Sequence, residues 1–385
     1  MIFPLLATGA DHAGKQSRLS IAVSRGRFVD GSGKPVQLRG VNVSGPEFVS
    51  VQGWSKSPWG AQSGDTTPNW DAMKSWKVNS VRIPLNEASW LGYECKDDSG
   101  RTRDPDPGHN YQATIKRAVQ SATAAGLYVI LDLHWSAPGD FCPLAQNPMA
   151  DADHSLEFWK SIATVFKSAP NVLFELFNEP FFFWTSPGSD PWKVLRDGGT
   201  FTKYVTGSAS RYTADYTWQS AGMQQMLDTI RRTGAKNVVL VGAPSWSQDL
   251  SQWVSHQPRD PLHQLGAVWH AYPDSGDAGS TRASVPKHGP DAYRWAERVI
   301  AAKVPLVISE TGDRNAPGTK DAPFLSRLLP WADRHGASYL GWAWDVWNHH
   351  DNVLIKDKAG TPTDGYGTYF RQHLLCAHEV PPSCR

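Results

Sequence analysis

The chain has 385 residues with 38 basic and 37 acidic side chains, a formal net charge of +1. That balance offers no electrostatic basis for binding nucleic acid or an anionic membrane surface, and no apolar run approaches the roughly 18 to 20 residues that span a bilayer. The length suffices for a large core, and an α/β barrel can use all of it as one domain.

Residues 1–20 read as a flexible N-terminal segment, and residues 21–385 as one domain. The start, Met1-Ile-Phe-Pro-Leu-Leu-Ala7, resembles part of a signal sequence, although it lacks a basic first region and its apolar stretch is short. Ser24 to Leu38 then reads as two short strands joined by a Gly-rich turn, a hairpin able to plug the bottom of a barrel.

Eight apolar runs of strand length follow: 37–45, 80–86, 128–135, 172–178, 237–243, 266–272, 305–310 and 339–347. Amphipathic stretches separate most of them. Thr67-Pro68 starts the first as a capping residue followed by proline at the first helical position. The stretch 109–126 ends on Gly126, a normal helix stop, and 155–168, 214–234, 292–303 and 323–336 continue the pattern. Strands alternating with helices imply parallel strands with crossover connections. Eight such units predict a closed (β/α)8 TIM barrel, with the active site at the carboxyl ends of its strands. The long stretch Phe181 to Arg211, rich in Gly, Ser, Thr and aromatics, is expected to be an irregular cleft wall.

Four cysteines are present, Cys95, Cys142, Cys376 and Cys384. Their positions in loops favour two disulfides, with Cys95–Cys142 and Cys376–Cys384 the suspected pairs, and an oxidising compartment outside the cytoplasm. No spacing resembles a zinc site. His349-His350-Asp351 has no matching ligand set elsewhere and reads as a rim contact. Asn42-Val-Ser44 fits a glycan-acceptor pattern but lies in a predicted buried strand, so it is discounted.

Aromatic usage stands out, with 18 Trp, 14 Phe and 11 Tyr. Flat rings at a concave face suit stacking on sugar rings, and Trp54, Trp59, Trp90, Trp135, Trp184 and Trp246 fall in strand-following positions. Glu179 and Glu310 each stand where a strand-like run stops. Placing carboxylates there is poor core design. It is good active-site design when parallel strands bring them to one face, since two carboxyl groups across a cleft can cleave a glycosidic bond.

The runs Val81-Arg-Ile-Pro84, Leu131-Asp-Leu-His134, Asn178-Glu-Pro180, His270-Ala-Tyr272 and Ser309-Glu-Thr-Gly312 occur in that order. Together they resemble glycoside hydrolase family 5, over roughly residues 24–372. The resemblance implies Glu179 as general acid/base and Glu310 as nucleophile of a retaining hydrolysis. It also implies Arg82 beside the nucleophile, Asn178 at the sugar 2-hydroxyl, Tyr272 on the nucleophile, and His134 and His270 at hydroxyls or the acid. A Trp platform is expected on the eighth strand. Trp342 and Trp344 are both candidates by alternation, with Trp344 preferred as nearer the strand end. Trp135 and Trp184 are further expected substrate contacts. Asp132 and Glu175 sit deeper and are read as structural supports of His134 and Glu179. The expected substrate is a β-1,4-glucan cut internally by a secreted monomer, with no organic cofactor and no catalytic metal. Mannan, xyloglucan, xylan and small β-glucosides remain alternatives, as does a binding barrel without catalysis.

Overall fold

The computed structural model describes residues 19–60, 68–207, 213–273, 290–313, 318–346 and 353–378. Eight parallel strands close into a barrel. In chain order they are Arg39–Asn42, Ser80–Asn86, Tyr128–Trp135, Val172–Glu175, Val239–Val241, Leu265–Ala271, Leu306–Thr311 and Ser338–Gly341, and the last pairs with the first. Among the described residues no helix is long and apolar enough to cross a membrane.

Alternation sorts the strand side chains into two sets. One set (Val81, Ile83, Val129, Leu131, Phe174, Val239, Trp269, Ile308) packs outward against the helices. The other set points inward, and its lower part is apolar. Ile130, Leu173, Leu240, Val268, Val307 and Leu340 form one cluster with Ile21, Phe28 and Leu38 from the N-terminal segment. The expected plug is therefore present. Its paired strands are Ala22–Ser24 and Arg27–Val29, turning at Arg25-Gly26, earlier than predicted. The Gly-rich turn reverses the chain once more, through a bridge between Val29 and Pro35.

Other boundaries moved for local reasons. The first helix runs Trp70–Ser75, and the Asn69 side chain accepts from the Ala72 N–H. The predicted cap, Thr67, lies outside the described residues. The helix expected over 109–126 forms over Tyr111–Ala124, and Gly126 follows at φ +83°. The largest correction falls on 214–234. Thr213–Gln219 is a strand, paired antiparallel with Thr200–Val205, and the helix begins only at Met223. Its Thr, Tyr and Trp residues favour a strand once a partner exists. The stretch after the fourth barrel strand is thus a built arm rather than an irregular wall: it also contains the helix Pro191–Asp197. Tyr204 of this arm stacks on Phe141 of the loop after the third strand, with centroids 4.2 Å apart.

The loops at the carboxyl ends of the first three strands are tied together. The Asn86 amide donates to Glu47 O (2.8 Å) and Pro143 O (2.9 Å). The Gln52 amide donates to Leu144 O at 2.7 Å. Cys95 and Cys142 form a disulfide between the second and third of these loops. The other suspected pair includes Cys384, which lies outside the described residues, as do Trp347 and His349-His350-Asp351.

Candidate active site

The upper interior of the barrel is charged. Arg82, from the second strand, is fully buried and surrounded by acceptors. Its Nη1 donates to Glu310 Oε1 (2.7 Å) and Asn42 Oδ1 (3.0 Å). Its Nε and Nη2 hold both oxygens of Glu175 at 3.1 and 2.9 Å, and Nη2 also reaches Asn178 Oδ1 at 2.8 Å and Asp132 Oδ2 at 2.9 Å. One guanidinium on the second strand therefore orders side chains from strands one, three, four and seven. A buried guanidinium left unpaired would cost several kcal/mol, so its partners are required as much as they require it.

Glu310 projects inward because the seventh strand is irregular there. Pairing shifts register on both sides, between Val268 and His270 and between Ile308 and Thr311. The bulge lets consecutive residues face the interior. Ser309 donates to Glu175 Oε1 at 3.1 Å, while Glu310 accepts from Arg82 and, on its other oxygen, from the Tyr272 hydroxyl at 2.9 Å. Burial alone would raise the Glu310 pKa. The charges of His270 and Arg82 outweigh it and hold the carboxyl below the usual range.

His270 joins the two glutamates. Its Nδ1 donates to Glu179 Oε1 at 3.0 Å and lies 3.7 Å from Glu310 Oε2; its Nε2 meets Ser309 Oγ at 3.1 Å. Burial would lower its pKa, but Glu310, Glu175 and Glu179 overcome that and push it up to about 10. His134 behaves oppositely. Burial and then the Arg82 charge push it down to about 3, so it is neutral, with Nδ1 2.6 Å from Asp132 Oδ2. Burial pushes Asp132 well above the usual carboxylate range.

An oxygen of Glu179 and an oxygen of Glu310 lie within 4.8 Å of each other and of a His270 nitrogen. Glu179 is the more open of the two, with 23% of its side chain exposed against 6% for Glu310. All of Arg82, His134, Asn178, Glu179, His270, Tyr272 and Glu310 converge on one face, as the order of motifs implied.

The aromatic expectations divide. Trp344 turns away from the carboxylates and packs edge-on against Trp76, with centroids 4.7 Å apart. Alternation was extrapolated past Gly341, where the strand ends. Trp342 is the eighth-strand ring at the site, parallel to His134 at 5.5 Å and 6°. Trp135 is half-buried near Phe48, at 6.2 Å. Trp184 is half-buried and edge-on to Phe181 at 5.4 Å, and Trp246 stacks on the same Phe181 at 5.5 Å. Trp54 is exposed and Trp59 partly so, whereas Trp90 is a core residue, 1% exposed, whose Nε1 donates to Ser161. Glu175 supports Arg82, Ser309 and the region of His270 rather than touching Glu179. Sequence reading also passed over Gln146, whose Oε1 accepts from Asn178 Nδ2 at 2.9 Å, and Ser309. No spacing marks Gln146, which comes from a loop. Ser309 lies two residues beyond the inward-facing Val307, so alternation along the seventh strand is the signal that marks it.

A model of the family Cellulase (glycosyl hydrolase family 5) matches residues 29–348. The chain belongs to glycosyl hydrolase family 5. Endoglucanase N of Pectobacterium atrosepticum is 27% identical over 84% of this chain and 56% of its own length. Endoglucanase A of Evansella cellulosilytica is 22% identical over 91% and 59%. The chain thus spans little more than half the length of these curated relatives. Among solved structures, the β-glucanase SdGluc5_26A of Saccharophagus degradans, crystallised with cellotetraose, shares the fold with a TM-score of 0.59. It is 22% identical and covers 94% of this chain and 95% of its own. The endo-β-1,4-glucanase Xac0029 of Xanthomonas axonopodis pv. citri aligns with a TM-score of 0.59 and 21% identity, over 88% and 98%.

Proposed function

We propose that this family 5 chain is a retaining endo-β-1,4-glucanase. The observation that carries the mechanism is the spacing of the two carboxyl groups, with oxygens within 4.8 Å. Retaining glycosidases hold their carboxyls at about 5 to 5.5 Å, whereas inverting ones separate them by about 6.5 to 9.5 Å to admit a water. The electrostatics favour one division of labour. Glu310, kept ionised by His270 and Arg82, attacks the anomeric carbon. The more open Glu179 protonates the departing glycosidic oxygen. Water then enters, Glu179 takes its proton, and the glycosyl–Glu310 ester is hydrolysed. Asn178, oriented by Arg82 and Gln146, is the contact for the sugar 2-hydroxyl, and Trp342 is the platform beneath the ring being cleaved.

Endo action is supported by aromatic rings on two sides of the carboxylates. Phe48, Trp54 and Trp135 form one group; Phe181, Phe183, Trp184 and Trp246 form the other. Rings on both flanks give subsites for a chain that runs across the face. The β-1,4-glucan assignment is supported by the likeness to endoglucanases, Xac0029 among them, and secretion by the Cys95–Cys142 disulfide.

The test is a product profile on carboxymethyl-cellulose, lichenan, β-mannan, xyloglucan and xylan, following viscosity and reducing ends together. A fast viscosity fall on carboxymethyl-cellulose is expected. Release of only mono- or disaccharides from chain ends would overturn endo action, and activity confined to another polymer would overturn the glucan assignment.

A further inference from the structure

Three consecutive non-glycine residues have left-handed backbone. Ser245, Trp246 and Ser247 sit at φ +57°, +57° and +58°. Side chains of L-residues disfavour this region even singly. Such backbone persists where its surroundings over-determine it, and it concentrates at functional sites. Here the turn follows the fifth barrel strand, and its polar groups point at the fourth.

Two hydrogen bonds show what the turn grips. The Trp246 N–H donates to Pro180 O at 2.8 Å. The Ser247 hydroxyl donates to Asn178 O at 2.8 Å. These carbonyls bracket Glu179. The regular fourth strand has already ended at Glu175, and beyond it Asn178 N–H to Leu133 O (3.1 Å) and Phe181 N–H to Pro148 O (2.9 Å) hold the segment on the side of the third strand, so the turn supplies its hold on the side of the fifth. Ser247 is fully buried and Asn178 nearly so, which leaves no route for bulk water to replace the hydroxyl. Gly242 makes the fit possible: a Cβ there would stand 2.8 Å from Ser247 Oγ and 3.4 Å from Phe177 O.

We propose that Ser247 is a positioning residue for Glu179. Its hydroxyl, presented by the left-handed turn, fixes the Asn178–Pro180 backbone and so the direction in which the Glu179 carboxyl meets the leaving oxygen. The proposal rests on the assignment of Glu179 as acid/base. A proton donor works only within hydrogen-bond reach of its acceptor, so a small rotation of this segment weakens proton donation before it weakens binding.

The experiment compares kcat/KM for two aryl β-cellobiosides. The 2,4-dinitrophenyl leaving group departs without a proton; the phenyl group needs one. Ser247→Ala is expected to lower kcat/KM for the phenyl substrate about tenfold or more, with less than about a threefold change for the dinitrophenyl substrate. Equal losses on both substrates, or a loss on neither, would overturn the proposal. Gly242→Ala, which pushes on Ser247 Oγ from beneath, is expected to give the same leaving-group pattern and is read in the same way if Ser247→Ala does not fold. Glu179→Gln is the control and is expected to discriminate more strongly still. If Glu179→Gln affected both substrates alike, the acid/base assignment itself would fall.

Discussion

The lower and upper halves of the barrel interior are built by the same strands on opposite principles. Below, Ile130, Leu173, Leu240, Val268, Val307 and Leu340 close against Phe28 and Leu38 of the plug. Two residues further along several of these strands stand Asp132, Glu175, His270 and Ser309, gathered with Arg82 from the second strand. The lower layer gains from each buried methylene. The upper layer gains little net stability, because buried ions pay desolvation that their attraction only roughly offsets. What the upper layer provides is a fixed field around Glu310. The strands carry both layers because the rigid apolar half holds the charged half in register.

Arg82→Met should break this contrast most severely. It leaves Glu175 and Glu310 buried without their cation, so activity should vanish and stability should fall by about 3 to 5 kcal/mol. Activity assays and urea denaturation check both. Retained activity would remove Arg82 from the centre of the site. Leu240→Ala acts on the other half. It should cost about 2 to 5 kcal/mol of stability while kcat at low temperature stays near that of the parent, because no charged partner is touched. A matching loss of kcat would mean the two layers are not separable.

The smallest effect sharpens the upper layer alone. His270 is raised to about 10 from an ordinary 6.5. Its ionic contribution to stability is therefore fully present below about pH 6.5 and is lost as pH rises through about 10. In Glu310→Gln the largest charge raising it is gone, so the ring should titrate at lower pH, read directly from its NMR chemical shifts. An unmoved titration would show that Glu175 and Glu179 alone hold the proton.

Legibility in the sequence followed how locally each feature is encoded. The barrel was readable because strand and helix periodicities alternate along the chain, and Glu179, Glu310, Arg82, His134, His270 and Tyr272 because each stands inside a short motif, all but Arg82 near a strand end. Trp344 was misplaced because alternation holds only while a strand lasts, and the eighth ends at Gly341. The strand Thr213–Gln219 was read as helix because its partner, Thr200–Val205, falls inside the stretch read as an irregular wall. Gln146 and Ser247 were invisible because a loop and a left-handed turn bring them in, and neither has a period; Ser309 follows Val307 by alternation and was overlooked beside Glu310, which the bulge turns inward.

The Asn86 amide has a bearing on engineering. Because it spans Glu47 O and Pro143 O, and because Cys95 is joined to Cys142, the loops after strands one, two and three form a single exchangeable part. A graft that replaces the third loop alone leaves an unmatched cysteine and an amide without its acceptor. Altering the substrate range of this face by recombination with relatives therefore calls for moving all three loops as one cassette, with Tyr204 of the arm still matched to Phe141.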